Sequence, residues 1–274
     1  MLFIFIEKCI KQLNTNGELI FIVPRELLKA TSAKKLNEFI FKQGTITDFY
    51  DLGDKKIFKN ACPNTIIFRF EKNNFNRTLT NGKTFNVING QIIFTKEKYT
   101  VPFNKCFKVK VGAVSGADKI FASKNGNQDF VCSSTYKTGQ TKKMFFNIYS
   151  EELLPFKKEL IKRKIKSFNE ENWYCWGRDY YHSENPRIYV NQKTRNSSPF
   201  FYNKCKAYDG SILAIFPLNI SLFKSEKELI ELTNELNKVN WEELGFICDG
   251  RFLFSQQSLE NIYLPENFKK YMVK

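Results

Sequence analysis

An α/β sheet unit followed by an α+β unit is the architecture this chain predicts, and three observations predict it. Leu19–Val23, Ile46–Leu52 and Thr65–Phe70 are short apolar runs rich in Ile, Val and Phe, bounded by Asn-Gly, Pro and Gly-Asp; these are the marks of buried strands. Between the first two, Leu27, Leu28, Leu36, Phe39 and Ile40 fall on one face of a helix whose other face carries Lys29, Lys34, Lys35 and Glu38. Past residue 72 the texture changes to Asn-Asn and Asn-Gly pairs between short apolar runs, which is turn and linker chemistry. A boundary near residue 100 separates residues 1–100 from residues 101–274.

In chain order, residues 1–13 place Phe3, Ile6, Ile10 and Leu13 at helical spacing. The run is too short to span a bilayer and is broken by Glu7 and Lys8, so an amphipathic helix is expected rather than a signal or membrane segment. Strand, helix, strand, loop and strand then follow from Gly17 to Lys72, and Val87–Phe94 reads as a hairpin turning at Asn89-Gly90. Phe156–Lys166 carries six basic residues against Glu159 alone and reads as a basic helix. Such a helix suits a phosphate backbone, a membrane surface or plain solvation. Ser211–Phe216 is a buried strand stopped by Pro217, and Glu226–Leu244 is an amphipathic helix with Leu229, Leu232, Leu236 and Val239 in register.

The stretch ELIFIVPRELL, then ITDFYDLGDKKIF, then TIIFRFEK, preceded by a helix and Asn-Gly, resembles the end of the catalytic domain of gamma-class (TaqI-like) DNA adenine N6-methyltransferases. The resemblance is clear over the first quarter of the chain and weaker beyond it. It implies a partial S-adenosylmethionine-dependent methyltransferase sheet, its last three strands with the final one inserted antiparallel between the other two, followed by a target-recognition domain. The family's glycine-rich cofactor loop and its Asn-Pro-Pro-Tyr tetrapeptide are absent: Pro-Pro occurs nowhere, and Asn185-Pro186 runs into Arg187. The expectation is therefore a C-terminal portion of such an enzyme with no catalytic residue of its own. The intact enzyme would use S-adenosylmethionine; this chain alone would bind none. A separate N-terminal methyltransferase half is the implied partner. A non-catalytic DNA-binding specificity subunit and an inactive gene remnant stand as the alternatives.

Charge points the same way without choosing a partner. A net charge of +15, from 43 Lys+Arg against 28 Asp+Glu, suits double-stranded DNA, and an AT-rich coding sequence accounts for the lysines equally well. By the resemblance, Phe70 stacks on the flipped adenine; strand alternation equally makes it a core residue beside Phe68. Asp54, Lys55 and Lys56 sit in a connecting loop that could touch DNA or merely be solvated.

In the second unit, Lys108–Phe121 opens with a Gly-x-x-Ser-Gly-Ala turn, and residues 104–143 hold eight Lys against two Asp, among them Lys119. Lys162, Arg163 and Lys164 supply the basic helix. Residues 172–201 interleave Trp173, Trp176 and four tyrosines with Arg178, Arg187, Lys193 and Arg195, a mixture suited to phosphate forks and base-edge contacts, although tryptophans commonly anchor a core. Gln192, Lys193, Thr194 and Arg195, where a strand runs into a polar loop, are the leading candidates for DNA contact. His182 reads as structural, the acidic Glu226 helix as turned away from DNA, and the tail from Gly250 as packing. Seven dispersed cysteines with one histidine argue against a zinc site and against a disulfide framework, and fit a reducing cytoplasm.

Overall fold

The computed structural model describes residues 2–53, 64–88, 90–96, 99–248 and 250–273, which leaves Asp54, Lys55 and Lys56 outside the described residues. The chain divides into two units, residues 1–100 with 242–245, and residues 101–241 with 246–274.

In the first unit, helix α1 (Leu2–Gln12) and helix α2 (Lys34–Gln43) accompany a sheet of β1 (Glu18–Pro24), β2 (Gly44–Asp51) and β3 (Thr65–Lys72). β3 lies between β1 and β2 and runs antiparallel to both, the order that the resemblance implies. Alternation sets its faces: Ile66, Phe68 and Phe70 point into a core shared with Ile6 and Ile10 of α1 and Leu36 and Ile40 of α2. A hairpin of β4 (Thr84–Ile88) and β5 (Gln91–Thr95) adds Phe85 and Phe94 to that core. Gly90 turns the hairpin at φ +79°, where an added Cβ would also strike Lys34.

The segment after β1 departs from the single helix expected. Leu27 and Leu28 sit in a 3-10 turn (Arg25–Leu28), and Ala30 adopts an extended conformation before α2 begins. Buried Asn37 holds this broken entry together, its amide donating to the carbonyls of Leu27 (2.9 Å) and Gly90 (2.8 Å). A local side-chain bond thus replaces the helical ladder that the apolar periodicity predicts.

In the second unit, β6 (Tyr99–Pro102) leads from the first, and the main sheet takes the order β12-β10-β13-β7, with β7 at Phe107–Val111, β10 at Ile188–Asn191, β12 at Phe200–Phe201 and β13 at Ile212–Pro217. Every residue of β13 is buried, as befits a central strand. A short ladder joins β8 (Gln128–Phe130) to β9 (Lys142–Met144). β11 (Lys193–Thr194) pairs with β15 (Arg251–Leu253), which pairs with β14 (Ile247–Cys248), and β16 (Tyr263–Pro265) closes the strand set. Trp173 and Trp176 are core residues; Trp176 stacks on Phe130 at 4.8 Å between ring centroids, and its indole N–H donates to the Phe145 carbonyl at 2.8 Å.

Two further expectations are corrected here. The helix from Glu226 ends at Lys238 rather than Leu244, and its start is fixed by a capping box in which Ser225 and Glu228 satisfy each other's backbone N–H groups. The basic segment 156–166 is helical only over Lys157–Ile161. It stops because the Arg163 guanidinium turns inward rather than out to solvent, as the next subsection describes.

Candidate nucleic-acid interface

The strand from Ile188 changes sheets at Gln192. Its first part, β10, is buried in the main sheet; its second, β11, pairs with the β14–β15 hairpin, Lys193 facing Leu253 and Thr194 facing Phe252. The switch is pinned by Gln192 itself, whose backbone N–H donates to Ser211 (2.9 Å), whose side-chain amide donates to the Gly210 carbonyl (2.7 Å), and whose own carbonyl accepts from Phe254 (2.8 Å). A change of sheet leaves a gap between the layers, and that gap is a cleft of about 510 Å³.

One wall of the cleft is Ser133, Ser134, Tyr136 and Lys137; the other is Lys193, Thr194, Arg195 and Arg251, with Asn191 at the base. Asn191 ties the two walls together, its amide N–H donating to the Ser133 carbonyl at 2.9 Å. Among the described residues, four cations and no carboxylate line the space. Cations around a concave, low-dielectric surface focus positive potential and concentrate anions there. Lys137, Lys193 and Arg195 are exposed, free to meet a phosphate, while Ser133 and Ser134 add hydroxyls beside them.

The sequence-derived candidates divide sharply against this geometry. Lys193, Thr194 and Arg195 come together at the cleft, although Thr194 is 7 % exposed and its hydroxyl accepts the Asn196 N–H, so the two cations carry the wall. Gln192 is committed to internal bonds. Lys119 and Arg178 are exposed away from the cleft, flanking the Gly112–Asp118 loop, where Arg178 pairs with Val114 through the backbone and donates to the Gly112 carbonyl at 3.3 Å. Lys162 and Lys164 are exposed on the turn after Ile161.

Arg163 is an internal strut. Its guanidinium donates to the carbonyls of Leu160 (2.8 Å), Ser115, Trp173 (2.6 Å) and Cys175 (2.9 Å), and lies 3.8 Å from the Phe168 ring centroid. Burial pulls its pKa down to about 10. Four of its five N–H donors are thus spent on backbone carbonyls, so the fork cannot present a bidentate face to a phosphate. Phe70 is likewise enclosed: it has no exposed surface, and its ring lies under Gly44, where an added Cβ would come within 2.9 Å of it. As placed it offers no face to an extruded base; it is a core residue beside Phe68.

Sequence reading missed Lys137 and Arg251. Lys137 lies more than fifty residues before β11 and was one lysine among eight; Arg251 stands just after the Gly250 turn in a tail assigned to packing. The Asp249-Gly250 pair between apolar runs is the one signal in the sequence that could have marked a turn there. His182 is exposed and bonds Asp179 at 2.9 Å, a surface pair. Among the described residues there is no cluster of potential metal ligands, and no helix is long and apolar enough to cross a membrane. Cys9, Cys106, Cys132, Cys175 and Cys205 are free thiols.

Known proteins relate to the chain in two ways. Over 70 residues it is 33% identical to the type II methyltransferases M.HincII and M.HindII, both of Haemophilus influenzae, a match covering 26% of this chain and 14% of each relative. The chain therefore aligns with about a seventh of the length of these curated relatives. In fold, 95% of the chain superposes on 40% of MmeI, a type IIL restriction-modification enzyme solved in complex with DNA, with a TM-score of 0.52 at 10% identity. Residues 1–58 match the family model described as Eco57I restriction-modification methylase, so the opening of the chain is similar in sequence to restriction-modification methylases, and the chain is similar in fold to an enzyme of that kind.

Proposed function

We propose that this chain is the DNA-recognising, C-terminal portion of a site-specific DNA adenine N6-methyltransferase of restriction-modification type, residues 1–100 being part of the catalytic domain and residues 101–274 the target-recognition domain. The observation that carries the reading is the cleft holding Lys137, Lys193, Arg195 and Arg251, with no carboxylate among its described lining residues, in the unit that follows a methylase-like segment. In this reading Lys193 and Arg195 hold the phosphate backbone and orient the duplex, Arg251 reaches toward the groove, and Lys119, Lys162, Lys164 and Arg178 make outlying phosphate contacts.

The intact enzyme would take its methyl group from S-adenosylmethionine, which supplies an electrophilic carbon to the adenine amino group. The residues of this chain do not fit that cofactor. β1 leaves the sheet into Pro24 and a 3-10 turn rather than a glycine-rich turn of free N–H groups, and Asp51 at the end of β2 is engaged by Arg25 at 3.0 Å. Recognition rather than methyl transfer is thus the part assigned to these residues. The same poor fit favours the second reading, a non-catalytic DNA-binding specificity subunit.

Selection from a pool of random duplexes tests the proposal. Enrichment of one short sequence by the protein without cofactor is expected; retention of DNA with no enrichment over several rounds would remove the assignment of target recognition.

A further inference from the structure

The turn from Gly112 to Asp118 takes no part in the cleft, yet it is built to close tolerances. A Cβ added at Gly112 would come within 2.0 Å of the Asp209 carbonyl oxygen, and one at Gly116, where φ is +75°, within 2.5 Å of Ile165. Ala113 N–H donates to the Tyr208 carbonyl at 2.9 Å, and Val114 exchanges both backbone bonds with Arg178, at 2.8 and 3.1 Å. Ser115 is fully buried. Its hydroxyl accepts the Ala117 N–H at 3.0 Å and donates to Asp118, while its carbonyl accepts from Arg163. Asp118 is therefore held in one place by a turn that is itself anchored residue by residue.

Beside this turn is a second cavity, of about 430 Å³, walled by the small residues Ala113, Val114, Gly116, Gly210 and Ser211. Asp118 is the one charged residue among its described lining residues. It is exposed; Oδ1 takes the Ser115 hydroxyl, and among the described residues Oδ2 takes no partner. Four exposed cations border the turn. Lys119 follows Asp118, Arg178 is paired with Val114, and Lys162 and Lys164 flank the Arg163 that binds Ser115.

A carboxylate among cations that meet phosphates has few productive contacts on DNA. When ionised it only accepts hydrogen bonds, and phosphate oxygens repel it. The donors that a duplex offers are exocyclic amino groups: N4 of cytosine and N6 of adenine in the major groove, and N2 of guanine in the narrow minor groove. We propose that Asp118 is a specificity-determining residue whose Oδ2 accepts a hydrogen bond from such an amino group in the major groove, N4 of cytosine or N6 of adenine. This rests on the DNA-recognition reading above. The Ser115 hydroxyl fixes the carboxylate, and the small walls of the cavity let a base edge approach it. A guanine or thymine at that place presents acceptors, which the same charge turns away.

The test is selection from random duplexes with the full chain as wild type, Asp118→Ala and Asp118→Asn. The wild-type target should contain one A·T or C·G pair at which Asp118→Ala has no preference, while the other positions keep theirs. Asp118→Asn, which keeps an acceptor and adds a donor, should change the bases admitted at that pair alone. Deleting the amino group there, with purine in place of adenine or 2-pyrimidinone in place of cytosine, should weaken wild-type binding about tenfold and leave Asp118→Ala binding unchanged. Which analogue acts tells adenine from cytosine, and hypoxanthine in place of guanine should have no effect. Binding of Asp118→Ala to unrelated duplexes should equal or exceed that of the wild type, since a negative charge has left the phosphate-facing surface. A target that Asp118→Ala shares with the wild type, or wild-type affinity that is indifferent to loss of the amino group, overturns the assignment of Asp118 while leaving the recognition reading intact. A wild type that enriches no target overturns both.

Discussion

Replacing Arg163 by Met separates a strut from a DNA contact. The substitution keeps the length and apolar stem of the side chain and removes the donors that satisfy the carbonyls of Leu160, Ser115, Trp173 and Cys175. Charge-assisted bonds at the low end, about 1.5 kcal/mol each, amount to about 6 kcal/mol for the four. Relief of the desolvated cation and return of water to the freed carbonyls recover about 2–3 kcal/mol of this, and the expected net loss is about 3–4 kcal/mol. Urea unfolding followed by tryptophan fluorescence is the assay, because Trp173, Trp176 and Trp241 all lie in the second unit. The midpoint should fall with the slope unchanged. Arg163→Lys should lose about 2 kcal/mol, since an ammonium cannot span the four acceptors as a planar fork does. At a urea-free temperature where both are folded, DNA affinity should be unaltered. A variant stable to within about 1 kcal/mol of the wild type that binds DNA tenfold more weakly would refute the strut assignment.

Three further expectations can be checked together. Single substitutions Lys137→Ala, Lys193→Ala, Arg195→Ala and Arg251→Ala should each weaken duplex binding and each reduce the salt slope by about one; Arg251→Ala alone should also blunt sequence preference in the selection. Gly44→Ala should cost about 3 kcal/mol by calorimetry, because its Cβ would come within 2.0 Å of the Glu71 carbonyl and press on Phe70. Asp209 is 5% exposed and accepts from the Ser211 backbone N–H, and burial raises its pKa above the ordinary 3.8. The folded state then holds that proton more tightly than the unfolded chain, so wild-type stability should rise relative to Asp209→Asn as the pH falls through the raised folded pKa toward 3.8. Urea midpoints of the two proteins from pH 7 to pH 4 measure this, and a constant difference contradicts it.

Much of the first unit was legible because its signals are local. A period of two in Thr65–Phe70 and of 3.6 in Phe3–Leu13 fixed strand and helix, and the Asn89-Gly90 pair fixed a turn. Alternation also stated that Phe68 and Phe70 share a face, but not that the face is core; burial there depends on α1, α2 and the β4–β5 hairpin, which arrive from other parts of the chain. The basic run Lys162–Lys164 shows the same limit from the charged side. Sequence counts three cations, and only the fold decides that Arg163 meets four carbonyls while its neighbours face water. At the cleft, Lys193 and Arg195 were legible from a strand running into polar residues. Lys137 and Arg251 were not, because Asn191 and the β11–β15 pairing bring them there over distances that no local pattern encodes.

Duplex binding across a salt series, without cofactor, for the wild type and the Lys137→Ala/Lys193→Ala/Arg195→Ala/Arg251→Ala variant tests the central claim most directly. The account predicts a linear fall of log affinity with log salt for the wild type, and a slope shallower by about 3–4 for the variant, whose binding at low salt is weaker by orders of magnitude. Equal affinities and equal slopes for the two proteins, with both folded, would show that DNA does not use the cleft.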